Sequence, residues 1–301
     1  MKSVFASLIL LLGIGIAWQS CTQGSGRSNE DNYTLVWSDE FGYTGYPDSS
    51  KWQYAIGDGC PELCGWGNEE LQYYTRRSLK NARVAGGLLT IEVHPDSVIN
   101  KRYSSAKLVT KDIQDWKYGR FEIRAKLPES NGIWSAIWML PSDTIYGSWP
   151  KSGEIDIVEN VGFDPDSVVA SIHTASNNFG LGNHLSRKLA IEDNSTAFHI
   201  YTLDWQEDKL VFSVDDHEYF TYIKDQVNTA YWPFDQPMYL ILNVAYGGNW
   251  GGQMGLEPEK LPQRLEIDYV RVYQRKNEHE GSRQNRLNYL NCCPGWITDG
   301  I

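Results

Sequence analysis

Apolar and polar positions alternate along much of this chain, in short runs rich in β-branched and aromatic residues. "GLLTIEVHP", "YGRFEIRAKLP", "GIWSAIWMLP", "VVASIHT", "FHIYTLDWQ", "KLVFSVDD", "MYLILNVAYGG" and "RLEIDYVRVYQ" are such runs, and Gly, Pro, Asn and Asp separate them. Alternation with a period of two puts one set of side chains on a buried face and predicts β-strands. "DWQEDKLVFSVDDHEYFTYI" predicts consecutive hairpins. No long stretch carries a helical apolar period, and no internal repeat is visible. Many strands over about 250 residues predict one all-β sandwich rather than two domains.

One run breaks the rule that strands avoid acids. "KSGEIDIVENVG", from Lys151 to Gly162, holds Glu154, Asp156 and Glu159 among Ile155, Ile157 and Val158. As a helix it would turn Glu154 about 200° from Asp156 and about 140° from Glu159. As a strand it puts Glu154, Asp156 and Val158 on one face and Glu159 on the Ile face. One β-bulge between Asp156 and Glu159 returns Glu159 to the face of the other two acids. The two Glu Cα atoms then lie about 13 Å apart, at roughly 3.3 Å per strand step. Side chains leaning together close that to about 5–5.5 Å, the carboxylate separation of a retaining glycosidase. Such a pair divides the work between a nucleophile and a general acid/base. Asp156, between them, can hydrogen-bond the nucleophile and disfavour ionisation of both Glu. The spacing alone also fits a solvated strand face.

Composition narrows the class. The 301 residues are 41% hydrophobic and 22% charged, as in a globular chain. A net charge of −11 leaves no basic footprint for nucleic acid. The 12 Trp and 18 Tyr suit a core, and their flat amphipathic rings also suit a sugar cleft. Met1-Lys2 and "VFASLILLLGIGIA" read as a signal peptide over residues 1–20, its apolar part too short to span a bilayer comfortably. Ser20-Cys21 then resembles a bacterial lipoprotein cleavage site, with Trp18 and Gln19 bulkier than that pattern uses. The expectation is an exported lipoprotein of the bacterial cell envelope, at the outer membrane or cell surface. Cys21 carries its lipid, its only link to a membrane, and residues 21–32 form a polar tether. An ordinary signal peptide is the alternative. Cys60 and Cys64 in "CPELC" either close a small disulfide loop or stay unpaired, and no His accompanies them at metal spacing. Residues 276–301, with Cys292 and Cys293, form a tail of unassigned role.

"GEIDIVENVG" resembles the Glu-x-Asp-x-x-Glu signature of glycoside hydrolase family 16, in the bulged form of laminarinase-like members. "LVWSDEF", "WGNEELQYYT", "YGRFEIRAKLP", "GIWSAIWMLP", "SWPKSGEIDIVENVG", "FHIYTLDW", "WPFDQPMYLILNVAYGGNWGG" and "IDYVRVYQ" follow in that family's order, from about Tyr33 to Gln274. The resemblance implies a jelly-roll (concanavalin-like) sandwich over residues 33–275 with a concave substrate cleft. It implies retaining endo-hydrolysis of β-1,3-glucan or mixed-linkage β-1,3-1,4-glucan by a monomer that needs no cofactor for catalysis. By position, Glu154 is the nucleophile, Asp156 its helper and Glu159 the general acid/base. Trp149 matches an aromatic beside the cut bond, and an aromatic face packs on the C–H face of a sugar. His173 matches a His near the active site. Trp134 and Trp138 share a strand face, cleft or core. Asn68, Glu69 and Arg124 are candidate partners of sugar hydroxyls, against surface ion-pair roles. Asn183-His184 and "YGGNWGG" are candidate cleft loops. The resemblance also places a structural calcium between Glu40, Gly86 and Asp268, the first two through backbone oxygens. The extra residue Val158, and no concentration of Lys or Arg around these blocks, favour β-glucan over sulfated galactans. The alternatives are a non-catalytic carbohydrate-binding protein on the same sandwich, or an enzyme for agaran, carrageenan or xyloglucan.

Overall fold

The computed structural model describes residues 32–276. Cys21, the signal peptide, most of the tether and the tail beyond residue 276 lie outside the described residues. Seventeen strands follow in chain order: β1 (Tyr33–Asp39), β2 (Gln53–Tyr54), β3 (Gln72–Tyr74), β4 (Ala82–Ala85), β5 (Leu88–Val98), β6 (Lys101–Ser105), β7 (Lys107–Val109) and β8 (Gly119–Lys126). The rest are β9 (Ile133–Pro141), β10 (Glu154–Val161), β11 (Ser167–His173), β12 (Leu185–Ala190), β13 (His199–Trp205), β14 (Lys209–Val214), β15 (His217–Ile223), β16 (Met238–Tyr246) and β17 (Gln263–Arg275).

They form two sheets. The outer sheet runs β15-β14-β13-β8-β17-β5-β6-β3, with β1 on β17 and β4 on β5. The inner sheet runs β12-β11-β10-β9-β16-β7-β2. All pairings are antiparallel except β3 with β6. Every alternating run of the sequence is a strand here. The predicted hairpins are β13-β14-β15, and the β14–β15 turn places Asp215 and Asp216 at φ 49° and 66°. Two consecutive positive φ values make the tight turn whose twist suits a hairpin.

The core lies between the sheets. Phe121, Ile123, Leu203 and Val270 come from the outer sheet, and Ile137, Met139, Ile155, Leu240, Leu242 and Val244 from the inner. Strand β16 is buried along its whole length. One of its faces joins the core, and the other, with Tyr239 and Ile241, packs with Val109, Trp138 and Leu140. The outward face of the inner sheet therefore carries an apolar patch of its own, and the acids lie on that face.

Two expectations meet obstacles in the outer sheet. On β8, Phe121, Ile123 and Ala125 face the core, so Arg124 points out of the sandwich, on the sheet that does not carry the acids. It pairs with Asp268 at 2.6 Å and lies over the Phe198 ring. Arg124 is thus an ion-pair residue of the outer surface and not a sugar ligand. The same contact bears on calcium. Asp268, the one carboxylate expected at the ion, is neutralised by Arg124, and the Glu40 carboxylate is clasped by Arg271 at 2.9 and 2.8 Å. Gly86 sits at φ 62° in the β4–β5 turn. Of the expected ligand side chains, that of Asp268 is engaged by Arg124, and no step below depends on a calcium ion.

Candidate active site

Strand β10 is central in its sheet, between β9 and β11. Against β9, Asp156 faces Trp138 and Val158 faces Ile137, so the register shifts between them. Against β11 the shift falls between Asp156 and Glu159. Ile157 and Val158 both turn into the core. Two consecutive inward residues are a bulge, and they return Glu159 to the face of Glu154 and Asp156.

Each acid has its own donors. Trp149 Nε1–H donates to Glu154 Oε2 at 2.6 Å. Trp134 Nε1–H donates to Glu159 Oε1 at 3.0 Å, and Ser171 Oγ–H to its Oε2 at 3.3 Å. His173 Nε2 lies 3.4 Å from Asp156 Oδ2, a contact without hydrogen-bond alignment. The other ring nitrogen, Nδ1, accepts from the Phe179 backbone N–H at 3.3 Å. An accepting Nδ1 assigns the imidazole proton to Nε2, facing Asp156. Donor atoms of Glu154, Asp156 and His173 lie within 4.8 Å of one another, a spacing that could also take a cation, although the Trp149 indole already claims Glu154.

The acids are more buried than an open cleft suggests. Glu159 is 9% and Asp156 3% exposed. Burial, then the charge of Asp156, pushes Glu154 up to about 8. Burial also pushes Glu159 up to about 7, opposed by the Trp134 donor. Asp156 is also raised well above the usual carboxylate range, by burial and the charge of Glu159. Three such groups cannot all ionise together. Asp156, with no aligned donor on Oδ2, is the natural holder of a proton. Once it is neutral, its repulsion of Glu154 disappears, and the pair can hold one ionised glutamate beside one protonated one. That state has one nucleophile and one acid.

This burial has a measurable cost. Glu159 ordinarily titrates at 4.5 and here at about 7. Below pH 4.5 both folded and unfolded forms hold the proton. Between the two values only the unfolded chain ionises, so stability falls and stays lower above. Glu159→Gln removes this penalty. Its melting temperature should match wild type at pH 4 and exceed it at pH 8. A lower Tm at pH 8, or a shift independent of pH, would contradict the trio's electrostatics.

The flanking residues form a floor. Trp134 and Trp138 alternate with core-facing Ile133, Ile137 and Met139, so both face the acids' side. Trp149 is 50% exposed at the rim. Asn68 sits in the loop beside "YGGNWGG": its carbonyl accepts from Asn249 N–H at 2.7 Å and its side chain donates to Glu70. A Cβ on Gly251 would lie 2.9 Å from Trp134 Cβ, so close approach requires glycine there. Cys60 and Cys64 are bridged in the preceding loop.

Three residues at the site escaped the sequence reading. Glu70, rather than the exposed Glu69, turns inward and accepts from Gln72 Nε2 (2.6 Å) and the Tyr74 hydroxyl (3.2 Å). Asn243 joins this network through Tyr74 and Trp138. Lys107 is 8% exposed on β7, with Nζ 4.2 Å from the Trp66 ring and 4.8 Å from the Trp138 ring. Burial lowers it to about 8, against the nearby charges of Glu70 and Glu154. Its signal was the one that exposed the acids, a charge inside an apolar run beside core-facing Leu108.

Known proteins are similar to this chain in sequence and fold. Residues 69–271 match the model of the family described as Glycosyl hydrolases family 16. A curated "Beta-glucanase" of Rhodothermus marinus is 47% identical over 258 residues, covering 83% of this chain and 88% of that protein. The X-ray structure of the Rhodothermus marinus laminarinase superposes with a TM-score of 0.79 at 47% identity, covering 81% of this chain and 98% of that one. SCLam, described as a non-specific endo-β-1,3(4)-glucanase, superposes with a TM-score of 0.76 at 43% identity, covering 81% of this chain and 92% of that one. With a jelly-roll sandwich, a bulged acidic strand and a family match over two thirds of its length, the chain belongs to glycosyl hydrolase family 16.

Proposed function

We propose that this protein is a retaining endo-β-1,3(4)-glucanase. The observation that carries the reading is the bulge that sets Glu154 and Glu159 on one face of β10 with separate indole donors. Glu154 attacks the anomeric carbon and forms a glycosyl ester. Glu159 gives its proton to the leaving glycosidic oxygen. Glu159 then takes a proton from water, which opens the ester at the same carbon. Two displacements retain the anomer. Asp156 steadies Glu154, and His173, fixed by Phe179, holds its N–H toward Asp156. Trp134, Trp138 and Trp149 supply flat faces for sugar rings. Asn68 is the rim candidate for a sugar hydroxyl. No cofactor enters these steps. The substrate class follows from an apolar, aromatic floor carrying one lysine rather than a cluster of cations, and from the family relatives above.

Laminarin, curdlan, barley β-glucan, agarose, carrageenan and xyloglucan assayed side by side should give oligosaccharides from laminarin or barley glucan and none from the galactans. Early proton NMR should show the product anomer of the bond that was cut. Inverted product would refute the mechanism, and agarose or carrageenan as sole substrate would refute the specificity. Binding to glucan without new reducing ends would mark a carbohydrate-binding protein instead.

A further inference from the structure

Four rings lead away from Glu154 in a continuous row. Trp149 and His173 have centroids 5.9 Å apart. His173 and His184 stack at 5.4 Å with planes 12° apart, and Phe179 follows His184 at 6.2 Å. The row ends in solvent, where Phe179 is 62% exposed.

A lone exposed apolar side chain needs no explanation. Phe179 differs because its turn is pinned. Asn178 is buried, and its Oδ1 accepts from Leu181 N–H at 3.1 Å while its Nδ2 donates to Thr174 O at 3.0 Å. The Asn178 N–H donates to Asn183 Oδ1 at 3.2 Å, and Asn183 Nδ2 donates to Ser176 O at 3.0 Å. The Phe179 N–H is held by His173, the residue that faces Asp156. This network holds the backbone of an exposed phenyl ring in line with the active-site rings. Burial, then the nearby His173, lowers the pKa of His184, so its imidazole is uncharged at neutral pH. A neutral imidazole and a phenyl ring offer flat faces to the C–H side of a pyranose.

We propose that His184 and Phe179 extend the cleft beyond Trp149 as a further sugar-binding surface, on which a long β-glucan chain rests while it is cut at Glu154. The inference rests on the glucanase reading and deepens it. Continuity with Trp149, whose indole N–H meets Glu154, identifies the occupant as the chain being hydrolysed. On this reading the shortest substrates occupy the site beside Trp149 and His173, and longer ones also cover His184 and Phe179.

The test uses the full enzyme, its Phe179→Ala and Phe179→Trp variants, and β-1,3-gluco-oligosaccharides of increasing length. Phe179→Ala should raise KM for the longest members about tenfold, the upper range of one aromatic contact. It should leave kcat, Tm and the shortest cleaved member unchanged, because His173 is held by the backbone N–H of position 179, which the variants keep, and Phe179→Trp should restore the long-chain KM. A loss equal at every length, or no loss at any length, would overturn the proposal while leaving the glucanase reading intact. A wild-type enzyme that cleaves no member of the series would overturn both.

Discussion

Glu154→Ala and Glu154→Gln will each lower the rate on β-1,3-glucan by about 10⁴-fold or more, the scale on which removal of an essential catalytic group is felt. Glu154 carries the attack, and no neighbour replaces it. Asp156 lies closest, but it is only 3% exposed and serves as a proton holder. Glu159 occupies the leaving-group side, with Trp134 and Ser171 on its two oxygens. The fold should survive, since the Glu154 side chain contributes nothing to the hydrophobic core. Azide added to Glu154→Ala enters the vacated space, attacks the anomeric carbon and leaves a glycosyl azide of inverted configuration. Kinetics on laminarin and NMR of the azide product read both effects. A Glu154→Ala enzyme within tenfold of wild type would remove Glu154 from the mechanism.

Glu159→Ala has a different signature. Loss of a general acid costs about 10²–10⁴-fold when the leaving group needs a proton. Glucan is such a substrate. An aryl glycoside whose phenolate leaves unaided should lose far less in the first step and accumulate the glycosyl ester on Glu154. Azide then attacks that ester and gives a glycosyl azide of retained configuration, the opposite anomer from Glu154→Ala. In the wild type, loss of the Glu159 proton near pH 7 sets the alkaline limb of the pH–rate profile. The aryl glycoside should lack that limb in its first step. A Glu159→Ala enzyme with wild-type rate on glucan would sink the acid/base assignment.

Much of this was legible because strands write their geometry with a period of two. The bulge could be placed from Glu154, Asp156 and Glu159 alone, since no other register puts the acids together and Ile155, Ile157 and Val158 inside. Trp134 and Trp138 share the acids' face for the same reason. What local alternation cannot say is which sheet a strand joins. Arg124 stands on a strand as regular as β9, yet β8 lies in the outer sheet and sends Arg124 to Asp268. Depth was also hidden. The acids read as exposed, and Glu159 is nearly buried because side chains distant in sequence, Trp134 and Ser171, close over it. Glu70 and Lys107 meet through the pairing of β7 with β16 and a loop closed onto "YGGNWGG", contacts with no short-range signature.

The bulge at Ile157 and Val158 makes the spacing of the two glutamates a stepped quantity rather than a continuous one. A point substitution elsewhere can shift a side chain by fractions of an ångström, but it cannot carry Glu159 across the sheet. Only gain or loss of a whole residue does that, and each such step reverses the face of everything from Glu159 to the end of β10. The interval between the glutamates therefore drifts little by gradual substitution. It changes by jumps, and a jump lands on a working site only if it leaves both carboxylates on the same side of the strand.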